Sequence, residues 1–128
     1  MSEEDLVRCQ LAGCEIGIHS HRHRILGRLT EEEQRFELET PLAYFKNRFA
    51  VEKCHLAFPY GATGTWNDAT LRVAKCLGYS SGLTVGRRIV KPEDLSNPWE
   101  LPRFDVRDIF DADNNLYADK LRALFTSD

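Results

Sequence analysis

Apolar positions recur at helical spacing in four stretches of the chain, and each stretch carries a start or stop signal. Ser2 is the predicted N-cap of a first helix, and Gly13 stands where a left-handed C-terminal cap is expected. Thr30 and Glu33 form a predicted capping box for a second helix. Pro41 turns this second stretch into either a kinked continuation or a new helix.

The other two helical stretches lie in the second half of the chain. Asn67 or Asp68 is predicted to cap the helix "ATLRVAKCL", and Gly78 is predicted to end it. A closing helix is predicted over "NNLYADKLRALF", because three leucines share one of its faces: Leu116, Leu121 and Leu124.

Four short apolar runs alternate with these helices and predict strands: "CEIGIH", "CHLAF", "YSSGLTV" and "RFDV". Strands that alternate with helices favour a largely parallel sheet. We therefore predict the α/β class, with mostly parallel strands, in one domain that spans residues 1–128. A complete (β/α)-barrel usually takes about 250 residues, so this sheet is expected to be open or to form part of a barrel.

Charge and hydropathy exclude two classes of partner. The chain has 17 Lys and Arg residues against 20 Asp and Glu residues, so it lacks the positive excess that provides most nucleic-acid affinity. No stretch approaches the ~20 apolar residues that cross a bilayer, and "MSEEDLVRCQ" is unlike a signal peptide. We expect no nucleic-acid partner, no membrane span and a cytoplasmic location.

The four cysteines are expected to be reduced, because nothing else in the sequence suggests secretion. Cys54 and Cys76 lie in apolar surroundings and are predicted to pack in the core. His55, within the second predicted strand, is expected to be a hydrogen-bonded sheet residue. Four aromatic residues are also assigned to the core: Phe36, Tyr44, Phe45 and Phe49.

The stretch "EIGIHSHRHRIL" places three histidines at the end of the first predicted strand. His19 and His23 are four residues apart, so one helical turn would bring both imidazoles to one side, as a shared metal ion requires. Ser20 could cap that turn. The pattern alone is about as typical of a solvated histidine-rich loop.

Other interpretations of the polar motifs stay open. A structural zinc site could use Cys9, Cys14, His19 and His23, although the four residues between the second cysteine and the first histidine are fewer than the about twelve of a zinc finger. Three arginines could instead bind phosphate or an acidic glycan: Arg22, Arg24 and Arg28. "DADNN" lacks the Gly and Glu that a calcium loop needs, so a helix cap is expected there.

Several motifs occur in a set order: "EIGIHSHRHRIL", a Leu-Thr-Glu-Glu-Glu helix start, "HLAFPYG", "LGYSSGLTV" and "LPRFDV". In this order and spacing they resemble the polysaccharide deacetylase family of NodB-homology hydrolases, from about Ser2 to about Val106. The resemblance implies a partial or open (β/α)-barrel of the polysaccharide deacetylase type. It also implies metal-dependent hydrolysis of acetyl groups on an N-acetylated or O-acetylated polysaccharide, with zinc as the expected metal.

The resemblance further implies roles for individual residues. His19 and His23 would bind the metal, and Ser20 would brace their loop. The backbone amide of Tyr60 would be the oxyanion donor, and Arg103 would orient a catalytic carboxylate. The substrate groove would be lined by Pro59, Tyr60 and Gly61. Apart from the resemblance, Trp66 lies beside this presumed groove in the sequence, where its ring could stack on a sugar or equally pack beneath its loop.

Parts of the family pattern have no counterpart in the sequence. The aspartate-bearing "TFDD"-like strand is expected upstream of Ser2, the late general-acid histidine is missing, and Ala57 stands where many members have an arginine. Catalytic zinc normally takes three protein ligands. The third could come from an aspartate of the chain, from a symmetric partner in a homo-oligomer, or from a partner chain that completes the barrel. The candidate aspartates are Asp105, Asp108, Asp111 and Asp113.

Two functions therefore remain in view. The first is a deacetylase whose missing aspartate is supplied from elsewhere. The second is an inactive or split-domain remnant that binds glycan or metal without catalysis.

Overall fold

The computed structural model describes residues 2–111, 113, 115–119 and 122. The helices among these residues are α1 (Glu3–Leu11), α2 (Glu31–Phe49), α3 (Asp68–Leu77) and α4 (Val106–Ile109), with short 3-10 turns at Leu26–Arg28 and Pro92–Ser96. The strands are β1 (His55–Ala57), β2 (Ser81–Thr84) and β3 (Leu101–Pro102).

Both ends of α1 follow local signals in the sequence. The Ser2 side chain accepts the Asp5 N–H, and the Asp5 carboxylate accepts the Ser2 N–H, which completes a capping box. At the other end Gly13 has φ +84°, and the Cys14 N–H donates to the Cys9 carbonyl at 2.9 Å. This is a Schellman motif, and it confirms the predicted glycine cap.

Helix α2 starts at the predicted capping box of Thr30 and Glu33 and runs for 19 residues without a break. Pro41 lies inside it, so the second stretch is a continuation and no new helix begins there. A proline in a helix interior removes one backbone hydrogen bond. Packing compensates for this loss, because Leu38 and Leu42 on either side are buried in the core.

Helix α3 has Asn67 as its N-cap and Gly78, with φ +83°, as its C-cap. The sequence predicts both caps, with Asn67 and Asp68 as the two candidates for the N-cap. The structure shows that Asn67 is the capping residue. The contacts of α3 with α2 make these two helices one layer against the sheet.

The sheet has the order β1–β2–β3 with all strands parallel. Of the predicted strand "CEIGIH", only Ile18 pairs, through a parallel bridge with Leu56. Ile18 donates to His55 and accepts from Ala57, each at 2.8 Å, and the described residues provide no strand on its other side. Since Ile18 has a pairing partner on one side only among these residues, its pairing with β1 is limited to this bridge.

The predicted strand "RFDV" lies two residues too late in the chain. Pairing with β2 is made by Leu101 and Pro102, whereas Asp105 is the N-cap of α4 and accepts the Arg107 N–H at 2.9 Å. Capping by this aspartate ends the extended segment before Val106.

The two faces of the sheet differ in cover. On the face called here the covered face, Leu56 and Phe58 are fully buried against α2 and α3, together with Leu38 and Val73. On the opposite face, called the open face, a cavity of about 560 Å³ is lined by residues that include Gly17, His55, Ala57, Ser81, Leu83, Pro98 and Leu101.

Some predicted core residues are not in the core. Cys54 is buried and Phe49 is 9% exposed, as expected, but Phe36 and Tyr44 are each 48% exposed and Cys76 is exposed. Cys76 shares α3 with the buried Val73 but lies on the outer side of that helix. The apolar neighbourhood in the sequence therefore did not indicate which helix face each residue occupies.

The chain end is described only in part. Leu116 forms an antiparallel bridge with Phe110, whereas Leu121 and Leu124 of the predicted closing helix lie outside the described residues. Among the described helices, none combines the length and the apolar character needed to cross a bilayer.

Candidate functional site

The loop that follows Ile18 brings two of the predicted site residues together. The expected helical turn does not form, because Ser20 has φ 62° and His23 has φ 56°, both left-handed. Instead, the Ser20 hydroxyl accepts the His23 N–H at 2.9 Å. This side-chain cap closes a tight loop with both imidazoles on the same side.

The imidazole nitrogens of His19 and His23 are spaced as two ligands of one ion would be. Their Nε2 atoms are 3.1 Å apart, and two nitrogens bound to one tetrahedral zinc would be roughly 3.3 Å apart. Nδ1 of His19 lies 2.7 Å from the Ala57 carbonyl oxygen. Because a carbonyl only accepts, this Nδ1 carries the proton in a neutral ring, and Nε2 keeps its lone pair.

The surroundings of His19 favour its neutral form. The loss of water around the ring lowers the pKa of His19, the hydrogen bond to Ala57 opposes this, and the positive charges of His23 and Arg103 lower it further. A neutral imidazole is the form that binds metal.

A third ligand is not found in the described part of the chain, where no group of three or more His, Cys, Asp or Glu side chains comes together. The alternative zinc site of Cys9, Cys14, His19 and His23 is therefore not assembled. Three of the four candidate aspartates are engaged elsewhere: Asp105 caps α4, Asp108 pairs with Arg87, and Asp111 accepts the N–H groups of Asp113 and Asn115. The fourth, Asp113, is exposed and belongs to no group of three such side chains in the described part of the chain.

The loop after β1 carries Tyr60 next to the histidines. The Tyr60 ring lies edge-on to the His23 ring, with centroids 4.8 Å apart. Tyr60 has φ 63°, and no backbone hydrogen bond of the described residues uses its N–H. A side chain at Gly61 would come within 2.8 Å of Val85, so only glycine fits where this loop meets the end of β2.

Arg103 reaches the same region from the end of β3. Its Nη2 donates to the Phe58 carbonyl at 3.2 Å. Its Nε is buried and has no hydrogen-bond partner among the described residues. An unpaired buried donor of this kind costs free energy unless an acceptor such as a carboxylate completes it.

The predicted groove residues differ in their surroundings. Pro59 is buried, and Trp66 stacks on Phe58 with ring centroids 5.0 Å apart, so that face of the indole is not free to contact a sugar. Trp66 nevertheless lines a cavity of about 220 Å³ beside Gly61, and its indole Nε1 is buried without a partner in the described chain.

Sequence reasoning missed an ion pair, with a buried carboxylate, behind the histidine loop. The Glu37 side chain, on α2, is fully buried and lies 2.7 Å from Nε of Arg22. Burial raises the pKa of Glu37, but hydrogen bonds from the Arg22 backbone and guanidinium outweigh this effect and hold that pKa below its usual value. Arg24 also pairs, with Glu33. The basic loop is thus largely neutralised, which weakens its interpretation as an anion site.

Comparisons with known proteins agree on one family. The sequence profile of the family described as "Polysaccharide deacetylase" matches residues 1–82. Over 84 residues, 66% of this chain, the sequence is 29% identical to Bacillus subtilis YxkH, a protein named as a polysaccharide deacetylase, and this stretch covers 29% of YxkH.

A solved structure shows the same fold. The Streptococcus pyogenes deacetylase PplD, determined in complex with acetate, is similar to this chain with a TM-score of 0.72 at 21% identity, over 81% of this chain and 44% of PplD. This similarity confirms the predicted α/β class with parallel strands in a small open sheet, a partial barrel. The chain spans less than half the length of either protein, and it belongs to the polysaccharide deacetylase family.

Proposed function

We propose that this chain takes part in the metal-dependent removal of acetyl groups from an N-acetylated or O-acetylated polysaccharide. The observation that supports the proposal best is the convergence of His19 and His23, whose Nε2 atoms lie 3.1 Å apart in a chain of this family. Two histidines whose Nε2 atoms point at each other at this distance fit two positions of a divalent metal site, with zinc as the expected ion.

A metal bound there would supply an activated water and polarise the acetyl carbonyl. The residues of the chain would do the rest. The Ala57 carbonyl fixes the orientation of the His19 ring, as an outer hydrogen bond does for most histidine ligands. The Tyr60 N–H would donate to the oxyanion of the tetrahedral intermediate, an interaction whose loss typically costs about 10²–10³ in rate.

Arg103 would orient the carboxylate that serves as the catalytic base. Its buried, unpartnered Nε supports this role, because an incoming carboxylate would complete it. We propose that the carboxylate comes from outside the described residues, either from a second copy of this chain or from a partner chain that completes the barrel. The open face of the sheet offers apolar surface for such a contact.

For the substrate groove we propose Pro59, Gly61 and Trp66, of which Gly61 and Trp66 line a cavity of about 220 Å³. The stacking of Trp66 on Phe58 gives this residue a packing role as well. Residues 1–128 would act as one domain in this scheme.

A second candidate is a remnant that binds glycan or metal without catalysis. It is favoured by the finding that only two of the three usual ligands come together among the described residues.

The test is zinc binding by the purified chain at near-stoichiometric metal, measured by calorimetry for wild type, His19→Ala and His23→Ala. His21→Ala is the matched control, since His21 lies in the same loop but faces the ring of Phe36. Tight binding that is lost in the first two variants and kept in the control supports the proposal and justifies assays on acetylated oligosaccharides. Equal binding by all four proteins would contradict it.

A further inference from the structure

The carboxylate of Glu37 is the point at which the histidine loop is tied to the core. Glu37 is 0% exposed on α2. Its Oε2 accepts the backbone N–H of Arg22 at 2.8 Å, and its Oε1 accepts the Arg22 Nε–H at 2.7 Å. One buried side chain therefore holds both the backbone and the side chain of a single loop residue.

Such an arrangement is not explained by packing alone. A buried carboxylate is costly unless its charge and its lone pairs are compensated, and an apolar residue of the same volume would avoid the cost. Here the compensation comes chiefly from the two Arg22 hydrogen bonds and the Arg22 charge, with a smaller contribution from His21. The Arg22 guanidinium also lies over the Phe36 ring, 4.9 Å from its centroid. The side chain of Arg22 is half exposed, so Arg22 would be solvated in water without Glu37.

The histidine loop needs a stabilising contact from outside the loop. Arg22 directly precedes His23, and both His23 and Ser20 have left-handed backbone angles that side chains disfavour. The bond from the His23 N–H to the Ser20 hydroxyl acts within the loop. The Glu37 bonds connect the loop to a 19-residue helix whose inner face lies in the core.

We infer that Glu37 is a positioning residue for the His19 and His23 pair. Its carboxylate fixes the Arg22 amide, and this fixes the left-handed turn that holds the two imidazoles at ligand spacing. The inference deepens the proposed function and rests on it only where the imidazole pair is taken to be a metal site.

The experiment compares Glu37→Met with wild type in two measurements. Met removes both acceptors but keeps the volume, so the fold is expected to persist. Without metal, NMR should show faster exchange of the Arg22 amide hydrogen and loss of the nuclear Overhauser effect between the His19 and His23 rings. With zinc, calorimetry should show an affinity about 10-fold to 100-fold lower, the range typical for outer partners of metal ligands.

Three further variants separate positioning from general stability. Glu37→Gln keeps one acceptor for the Arg22 amide and should give intermediate values in both measurements. Val73→Ala, in the core on α3, should lower stability without changing the ring contact or zinc affinity. Glu39→Gln removes a charge from an exposed position of α2 and should behave as wild type.

The outcomes for the inference and for the proposed function are distinct. If Glu37→Met keeps wild-type amide exchange and ring contact, the inference is overturned, whatever the protein does with zinc. If wild type binds no zinc but Glu37→Met loses the ring contact, the proposed function fails and the positioning role stands. If Glu37→Met does not fold, Glu37→Gln decides, and wild-type values for that variant in both NMR measurements overturn the inference.

Discussion

The two faces of the parallel sheet are built from the same strands yet differ in what they touch. On the covered face, Leu56 and Phe58 have no exposed surface. On the open face, Leu83 and Leu101 are only partly buried and border a cavity of about 560 Å³. Parallel sheets are usually covered on both faces, so the described residues amount to half of the usual layering.

The difference between the two faces indicates which part of the sheet stabilises the fold and which part carries the candidate site. Most of the apolar side chains buried in the core lie on the covered face, where α2 and α3 exclude water, so this face is expected to contribute most to the free energy of folding. The candidate site residues follow Ile18, β1 and β3, at the carboxyl ends of the paired segments. Ligands bind at this end in open α/β sheets.

The largest difference in stability between the two faces is expected when one leucine on each face is replaced by alanine. Leu56→Ala removes a fully buried side chain from the covered face and should cost about 2–5 kcal/mol of unfolding free energy. Leu83→Ala acts on the open face and should cost less than about 1.5 kcal/mol, since less buried surface is lost. Urea denaturation of both variants measures the difference. Equal losses would show that the open face is covered in solution.

The difference between the two faces can also be tested by adding a methyl group at one glycine on each face. At Gly82 a Cβ would lie 2.6 Å from the Phe58 ring and 2.7 Å from the Trp99 carbonyl oxygen, whereas at Gly17 the closest atom is the His55 carbonyl oxygen at 3.1 Å. Gly82→Ala should therefore cost about 1–3 kcal/mol, and Gly17→Ala less than about 1 kcal/mol. Thermal denaturation of both variants ranks them, and the reverse order would contradict the assignment of the two faces.

The smallest effect is expected at the surface, in the connection between β2 and β3. The guanidinium of Arg88 forms two hydrogen bonds with Asp94, at 2.6 and 2.7 Å, and together with the Lys91 amide it lowers the pKa of Asp94 from 3.8 to about 2. Because the folded pKa is depressed, the contribution of this pair to stability is present above pH 3.8 and is lost as the pH falls towards 2.

Asp94→Asn should accordingly be slightly less stable than wild type at neutral pH and equal to it near the lower end of that range. The urea midpoints of both proteins across the acid range measure this convergence, with Glu93→Gln as the control on the same 3-10 turn. A difference that stays constant with pH would show that the ion pair does not form in solution.

The parts of the structure that follow from local chemistry were predictable from the sequence. Ser2, Thr30 and Asn67 cap helices, and Gly78 ends one, because each acts on backbone groups within a few residues. The pairing of His19 with His23 could be anticipated from their spacing, although the loop that joins them is left-handed and not helical.

The missed features depend on distant contacts. The Glu37 carboxylate meets a residue 15 positions earlier in the chain, and no local pattern distinguishes it from the exposed acids around it. The sequence offers one signal for Glu37: a charged residue occupies a position on the same helix face as the buried Leu38 and Gln34. The exposure of Phe36 has the same origin, because its ring stacks with Arg22 and lies edge-on to His21.

The left-handed backbone at Ser20, His23 and Tyr60 has a consequence for laboratory evolution. Each such residue costs about 1–3 kcal/mol, and glycine or asparagine would relieve much of it. A library selected for heat resistance alone should therefore accumulate these residues at positions 20, 23 and 60. At position 23 the replacement would remove an imidazole. Selection for thermostability would therefore replace residues of the histidine loop before it replaced residues of the core.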